Sequence, residues 1–182
     1  KKLLSKPQLH CLLIESPGHI TTHKERYCTG SQHIMRVDRE DCSPPSASAL
    51  ENLFARISLN IDNVDAVVIS DYQKGLFTLE FTQSIIGLAN SKGIPTVVDP
   101  KNPDIKLYSG ATLIKPNLRE ASLYLRSPLS EYEDLDKASF ELHASSNCTH
   151  LLITLGADGM HLRSSANNTH DILPYPVEVF DV

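Results

Sequence analysis

Four short segments of this 182-residue sequence bring together groups that could do polar chemistry. Asp71-Tyr72-Gln73-Lys74-Gly75 sets an acid, an aromatic and a lysine in one run. The carboxylate could hold a sugar hydroxyl and the ammonium a phosphate. Asp99-Pro100-Lys101 joins an acid to a cation that could offset phosphate charge during transfer. Asn117-Leu118-Arg119-Glu120 could face a metal-bound nucleotide phosphate. A helix N-terminus attracts anions, and Mg²⁺ takes oxygen ligands and water. Thr154-Leu155-Gly156-Ala157-Asp158-Gly159 could line a nucleotide with backbone, because glycine lets main chain approach a ligand closely.

Each segment has a purely structural alternative. The first reads equally as a polar loop with a glycine turn, and the second as a turn with a surface ion pair. Asn with Glu three residues on is a good helix cap. The last segment suits a hairpin turn. Residue types alone leave both meanings open. The same holds further upstream, where Lys24 and Arg26 share one face of an extended segment and Arg36 and Asp38 share one face of the next. Such a face suits a sugar phosphate, and it also suits a solvated edge strand.

Other chemistries find no support. There is no G-x-x-x-x-G-K-[ST] loop and no G-x-G-x-x-G after a first strand, which argues against a P-loop kinase and a dinucleotide dehydrogenase. H-E-x-x-H and G-x-S-x-G are absent too. Cys11, Cys28, Cys42 and Cys148 form no C-x-x-C pair, and the histidines have no ligand spacing. The thiols read as reduced, in a cytoplasmic setting. A net charge of −5 argues against nucleic acid as a partner. No apolar run is long enough to span a bilayer, and Lys1-Lys2-Leu3-Leu4 is not followed by an apolar signal region.

The elements that must position these groups alternate between two periods. His10 to Glu15, Thr21 to Thr29 and Gln32 to Asp38 read as extended, the last two as a hairpin across Gly30-Ser31. Cys42-Ser43-Pro44-Pro45-Ser46 is a linker. Ser48 with Glu51 predicts a capping box for a helix carrying Leu50, Leu53, Phe54 and Ile57. Thr78 starts a second helix carrying Phe81, Ile85 and Leu88, which Gly93 ends. Asn117 starts a third, and a fourth covers about Leu135 to Ser145. Between them lie apolar strands at Asp65 to Ser70, Ile94 to Asp99, Ala111 to Lys115 and His150 to Leu155. Apolar strands alternating with helices predict an α/β fold: a three-layer α/β/α sandwich on a mostly parallel sheet, with the hairpin as an antiparallel edge. In such sheets ligands bind outside the carboxyl ends of the strands, where all four polar segments fall.

The order of these segments resembles the ribokinase-like (PfkB) carbohydrate kinases. It runs from Thr21-Thr22-His23-Lys24-Glu25-Arg26 through Gln32 to Asp38, Ser70 to Gly75 and Val98 to Lys101. Gly110 to Glu120 and Thr154 to Met160 follow. Within the family it is most similar to the bacterial branch acting on D-glycero-D-manno-heptose 7-phosphate in lipopolysaccharide-core synthesis. The resemblance implies ATP and Mg²⁺ as cofactors and transfer of the γ-phosphate to the C1 hydroxyl of the sugar. It implies that Asn117 and Glu120 organise the metal–phosphate water shell, with Glu120 acting on the metal through water. Lys101 would attend the transferring phosphate. Thr154, Gly156 and Gly159 would border the nucleotide. Asp71, Lys74 and Asp99 would lie around the sugar, with Arg36, Lys24 and Arg26 facing the substrate side. It leaves room for a homodimer.

The sequence departs from the family in two places. The family carries a Gly-Gly-Ala-x-Asn-x-Ala segment that holds the sugar, and a Thr-Gly-Ala-Gly-Asp segment after a strand ending Asp-Val. Its Asp is the general base. Residues 1–182 contain neither, and they end on Asp181-Val182. The expectation is therefore a partial kinase domain, inactive by itself; the alternatives are a piece of another sugar or nucleoside kinase of the family, or a non-catalytic module of the same fold that binds nucleotide or a protein partner.

Overall fold

The computed structural model describes residues 10–30, 32–129 and 132–175. The order of elements begins with β1 (His23–Thr29), β2 (Gln32–Arg39), α1 (Ala47–Asn60), β3 (Val67–Ser70), α2 (Leu79–Ser91) and β4 (Thr96–Asp99). It continues with β5 (Leu113–Ile114), α3 (Leu118–Leu125), α4 (Tyr132–Ser146), β6 (His150–Thr154), β7 (Met160–Ser165) and β8 (Asn168–Ile172). Strands β3 to β8 form one six-stranded sheet in chain order. Pairing is parallel from β3 to β6 and antiparallel from β6 to β8. The expected α/β fold with a mostly parallel sheet is what the chain forms.

The register explains the core. Ile69, Val98, Ile114, Leu151 and Arg163 are successive cross-strand neighbours, so they form one rung across five strands. All five are almost fully buried. Phe81, Ile85 and Ile86 of α2 and Leu135 and Leu142 of α4 close over that face. Burying a side chain of this size stabilises the fold by roughly 1.5–3 kcal/mol. The other face is more open: Val97, Leu113 and Leu152 are half-buried, and Val68 is 69% exposed.

Local chemistry sets the helix ends. Thr78 caps α2 by accepting a hydrogen bond from the Phe81 N–H at 3.2 Å. Gly93, with φ of 68°, ends it in the left-handed conformation expected of a helix-terminating glycine. Helix α1 starts earlier than the capping box predicts. Ser46 is the cap, accepting from Ala49 N at 3.3 Å, and Ser48 lies within the first turn. Two nearby serines made the choice ambiguous in sequence.

Three further differences concern strands. His10 to Glu15 is not a strand; it belongs to neither sheet, and most of it is exposed. Strands β1 and β2 do form the predicted hairpin, yet as a separate two-stranded sheet and not as an edge of the large one. Every residue of both strands is exposed. One face carries Lys24, Arg26, Arg36 and Asp38, and the other carries Tyr27, Met35 and Val37. Strand β8 was not anticipated, since its residues Asn168 to Ile172 are mostly polar. The expected strand end at Asp181-Val182 lies outside the described residues.

Arg163 is the unusual member of the rung, a cation 1% exposed. Its guanidinium donates to Ser139 Oγ at 2.8 Å, Ser165 O at 3.1 Å, Ala166 O at 2.7 Å and Asp136 O at 2.9 Å, and it pairs with the Asp136 carboxylate. Ser139 also meets His161 Nε2 at 3.0 Å, and His161 Nδ1 lies 2.6 Å from Asp171. This network fastens α4 to β7 and β8. Arg163→Met removes the guanidinium's bonds to Ser139, Ser165, Ala166 and Asp136, leaves the Ser139–His161–Asp171 bonds in place, and is expected to cost about 3 kcal/mol of stability, read from urea unfolding.

Candidate active site

Parallel pairing from β3 to β6 brings four strand exits to one edge of the sheet. Asp71 follows β3, Lys101 follows β4, Asn117 follows β5 and Leu155 follows β6. Backbone bonds fix their spacing. Asp71 N donates to Asp99 O at 3.1 Å, Lys115 N to Val98 O at 2.9 Å, and Thr154 N to Pro116 O at 2.9 Å. Asn117 and Thr154 are bridge partners.

The centre of this edge is the start of α3. Asn117 Oδ1 accepts from Glu120 N at 2.8 Å, and Glu120 Oε2 accepts from Asn117 N at 2.9 Å. Both halves of a capping box are therefore formed. The second carboxylate oxygen, Oε1, takes the Lys101 ammonium. Glu120 is only 8% exposed, whereas the Lys101 side chain remains open to solvent. The bond to Glu120 raises the Lys101 pKa above the ordinary lysine value, and Asp99 adds to the effect. Beside it, Lys115 Nζ pairs with Asp99 Oδ1 at 2.9 Å.

The β3 exit is organised differently. Asp71 is 4% exposed, and both its oxygens are engaged. Oδ1 accepts from Gln73 N at 2.6 Å, and Oδ2 accepts from the Tyr108 hydroxyl at 2.5 Å. Gln73 is held at φ of 55°, an uncommon conformation for a residue with a side chain. Gly75 has φ of 81°, and a Cβ there would lie 2.2 Å from Ser43 O. The linker before α1 thus packs directly onto this loop. A cavity of about 470 Å³ opens over it, lined by Glu40, Asp71, Gln73, Lys74 and Asn102 among others.

The sequence-predicted residues fall into four groups. Lys101, Asn117, Glu120 and Thr154 come together on the sheet edge, and Asp99 joins them through Lys115. Asp71 and Lys74 line the cavity, where Lys74 reaches across to Glu40 of the segment after β2 at 2.5 Å. That bond raises the Lys74 pKa. Lys24 and Arg36 both pair with Asp38, at 3.0 and 2.9 Å, and Arg26 stands opposite Arg36 on the same hairpin face. Of the two glycines, Gly156 has open space around a would-be Cβ, whereas one on Gly159 would meet Ile172 O at 2.2 Å. Packing of its own chain therefore explains Gly159.

Two tyrosines went unnoticed in sequence. Tyr108 is fully buried, and burial together with Asp71 raises its pKa far above the ordinary value. The Tyr124 hydroxyl is buried with no hydrogen-bond partner among the described residues. Burial first, then the carboxylates of Glu120, Asp71 and Asp99, push its pKa up as well. Tyr108 is distinguished only by its place near Asp71 from a distant segment, whereas Tyr124 also stands one helical turn from Glu120 on α3.

No three His, Cys, Asp or Glu groups converge to hold a metal among the described residues. The Glu120 oxygens are both used within the protein. This donor set fits an ion held mainly by phosphate oxygens and water, with the protein in an outer role.

The family model described as "pfkB family carbohydrate kinase" matches residues 17–182. The chain belongs to this family. The pfkB chain is also similar to the bifunctional protein HldE of Sulfurimonas denitrificans, at 34% identity over 171 residues. Against HldE of Caulobacter vibrioides the identity is 37% over 179 residues. These matches cover 93% and 96% of the chain, which spans only 35% and 36% of those curated relatives. Among solved structures it resembles ribokinase from Giardia lamblia, with a TM-score of 0.64 and 18% identity over 87% of this chain and 49% of that one. It also resembles phosphofructokinase-2 from Escherichia coli in complex with fructose-6-phosphate, with a TM-score of 0.57 and 19% identity over 81% and 49%. These likenesses establish the fold as ribokinase-like.

The two tyrosines give the pfkB chain an alkaline limit. Their folded pKa values are raised, so their contribution is full below about pH 10, the ordinary tyrosine value, and is lost as pH rises above it. The melting temperature is expected to fall above about pH 10, and less steeply in Tyr124→Phe. At neutral pH that variant should be unchanged or more stable by up to about 1 kcal/mol, since it removes an unpaired hydroxyl. A clear loss of stability at pH 7 would contradict this account.

Proposed function

We propose that these residues belong to an ATP-dependent kinase that phosphorylates the C1 hydroxyl of D-glycero-D-manno-heptose 7-phosphate, on the route to ADP-heptose and the lipopolysaccharide core. The observation carrying the reading is the Lys101–Glu120–Asn117 arrangement beside Thr154, at the sheet edge of a pfkB family chain. Phosphoryl transfer needs positioned cations and oriented backbone more than it needs covalent chemistry. This edge supplies both.

In this reading ATP lies along the β5 and β6 exits. Asn117 and Glu120 orient water around its phosphates, and Thr154 and Gly156 border the nucleotide. Mg²⁺, when bound, would neutralise phosphate charge. Lys101 swings from Glu120 toward the transferring phosphoryl group, whose developing charge it stabilises. The sugar phosphate occupies the cavity between Asp71 and Asn102, with Lys74 and the cationic hairpin face, Lys24, Arg26 and Arg36, toward its 7-phosphate. Asp99 holds Lys115 and so keeps the β4 and β5 exits in step. Lys101→Ala in the active protein is expected to lower kcat by about 10²–10³ while leaving the sugar KM nearly unchanged. An unchanged kcat would remove Lys101 from the reaction.

Two measurements test the reading as a whole. Thermal shift across sugar phosphates should favour heptose 7-phosphate over ribose, fructose 6-phosphate and adenosine; preference for one of the others points to a different kinase of the family. Residues 1–182 hold no Thr-Gly-Ala-Gly-Asp segment. Loss of a general base lowers rates by roughly 10²–10⁴. We therefore expect the 182-residue polypeptide alone to release no ADP above background with ATP and heptose 7-phosphate. Turnover near that of a complete kinase would sink this expectation.

A further inference from the structure

We propose that Tyr108 is a positioning residue for the sugar side of the site, acting through Asp71 and Asn102. The inference rests on the kinase reading above for its ligand, though not for its geometry. Tyr108 ends a short 3-10 turn, Ile105–Tyr108, and does not itself line the cavity. Its hydroxyl is the common partner of two strand exits. It donates to Asp71 Oδ2 after β3, and it accepts from Lys101 N at 3.3 Å and Asn102 N at 3.1 Å after β4. Asp71 in turn holds Gln73 N through its other oxygen. One buried oxygen therefore links Gln73 to Asn102, and both line the cavity.

The post on which this oxygen stands is fixed from elsewhere. Gln83 of α2 donates to Leu107 O at 3.0 Å and to Ser109 O at 3.1 Å, on either side of Tyr108. Asp104 caps the turn by accepting from Lys106 N at 3.0 Å. The ring is fully buried. A phenylalanine would fill the same space and leave the carboxylate and both N–H groups without their shared partner. Buried polar groups so deprived rearrange or draw in water. The Asp71 loop and the Lys101–Asn102 turn would then lose their fixed separation. A sugar read by several hydroxyl contacts depends on that separation. The nucleotide side depends instead on the Asn117–Glu120 cap, which Tyr108 does not touch.

The test compares wild type, Tyr108→Phe and Asp71→Asn in two ways. Amide hydrogen exchange comes first and needs no ligand. Tyr108→Phe should speed exchange at Lys101, Asn102 and, across the junction, at Gln73. Acceleration confined to Lys101 and Asn102 would overturn the proposed coupling. Should Tyr108→Phe fail to fold, Asp71→Asn carries the same comparison in the reverse direction: faster Asn102 supports the coupling, and unchanged Asn102 refutes it. The second measurement is calorimetric affinity for heptose 7-phosphate and for ADP. Bonds to a charged group are strong, so the sugar phosphate should weaken by about tenfold or more in Tyr108→Phe. ADP affinity should stay within about twofold, the change left by a site whose own contacts are intact. Equal weakening of both ligands, or an unchanged sugar affinity in a folded variant, would overturn the positioning role. If wild type binds no sugar phosphate, the heptose reading fails, and the exchange data still decide whether Tyr108 couples the two exits.

Discussion

Four strands run parallel, and so four carboxyl ends meet at one edge of the sheet. The chemistry of this protein depends on that constraint. Each exit brings one charged or polar group: Asp71, Lys101, Asn117 and the Thr154–Leu155 turn. They are separated by tens of residues in sequence and by one strand spacing in the fold. The apolar rung from Ile69 to Leu151 holds the register, and the register holds the site. Packing and function are therefore linked through backbone geometry; a change that slipped one strand would move its exit group as well.

Glu120 shows why a structural and a functional meaning can share one residue. Its backbone and one carboxylate oxygen complete the capping box of α3. Its other oxygen holds Lys101 from the neighbouring exit. The cap fixes the carboxylate in place, and a fixed carboxylate can orient a flexible ammonium. Had Glu120 been only a cap, its second oxygen would have pointed to solvent. Had it been only a ligand group, its orientation would have been loose. The tightness of the cap is what makes the lysine position reproducible.

Much of this was legible in sequence, because much of it is local. The Asn117–Glu120 cap is a pattern of four residues, and the Thr78 and Gly93 helix ends are of the same kind. The parallel strands announced themselves as short apolar runs, and the strand-end rule then located the site. What escaped were partnerships across long stretches of chain. Tyr108 bonds Asp71 across 37 positions, and Arg163 bonds Ser139 across 24. Nothing in the residues around Tyr108 marks its hydroxyl as a junction. Alternation in β7 puts the apolar Met160 and Leu162 on one face, yet it is His161 and Arg163 that face the core, and only the facing carbonyls and Asp136 make a buried cation tolerable. The hairpin is legible as a hairpin, but its separation from the large sheet is not, since edge pairing leaves no local trace.

The pairing of charges at the edge also bears on how an anion would bind. Lys101 already holds Glu120, Lys115 holds Asp99, Lys74 holds Glu40 and Lys24 holds Asp38. At these four lysines an incoming phosphate does not meet a bare cation; it competes with a carboxylate that is already seated. The gain on binding is then a difference between two ion pairs, which is smaller than the new pair alone. Such an exchange favours a ligand whose charge lies where the lysine can swing, and gives little to a misplaced one. The arrangement thus limits affinity for phosphate in general. It rewards the one position from which a group can draw Lys101 away from a carboxylate that the helix cap will not release.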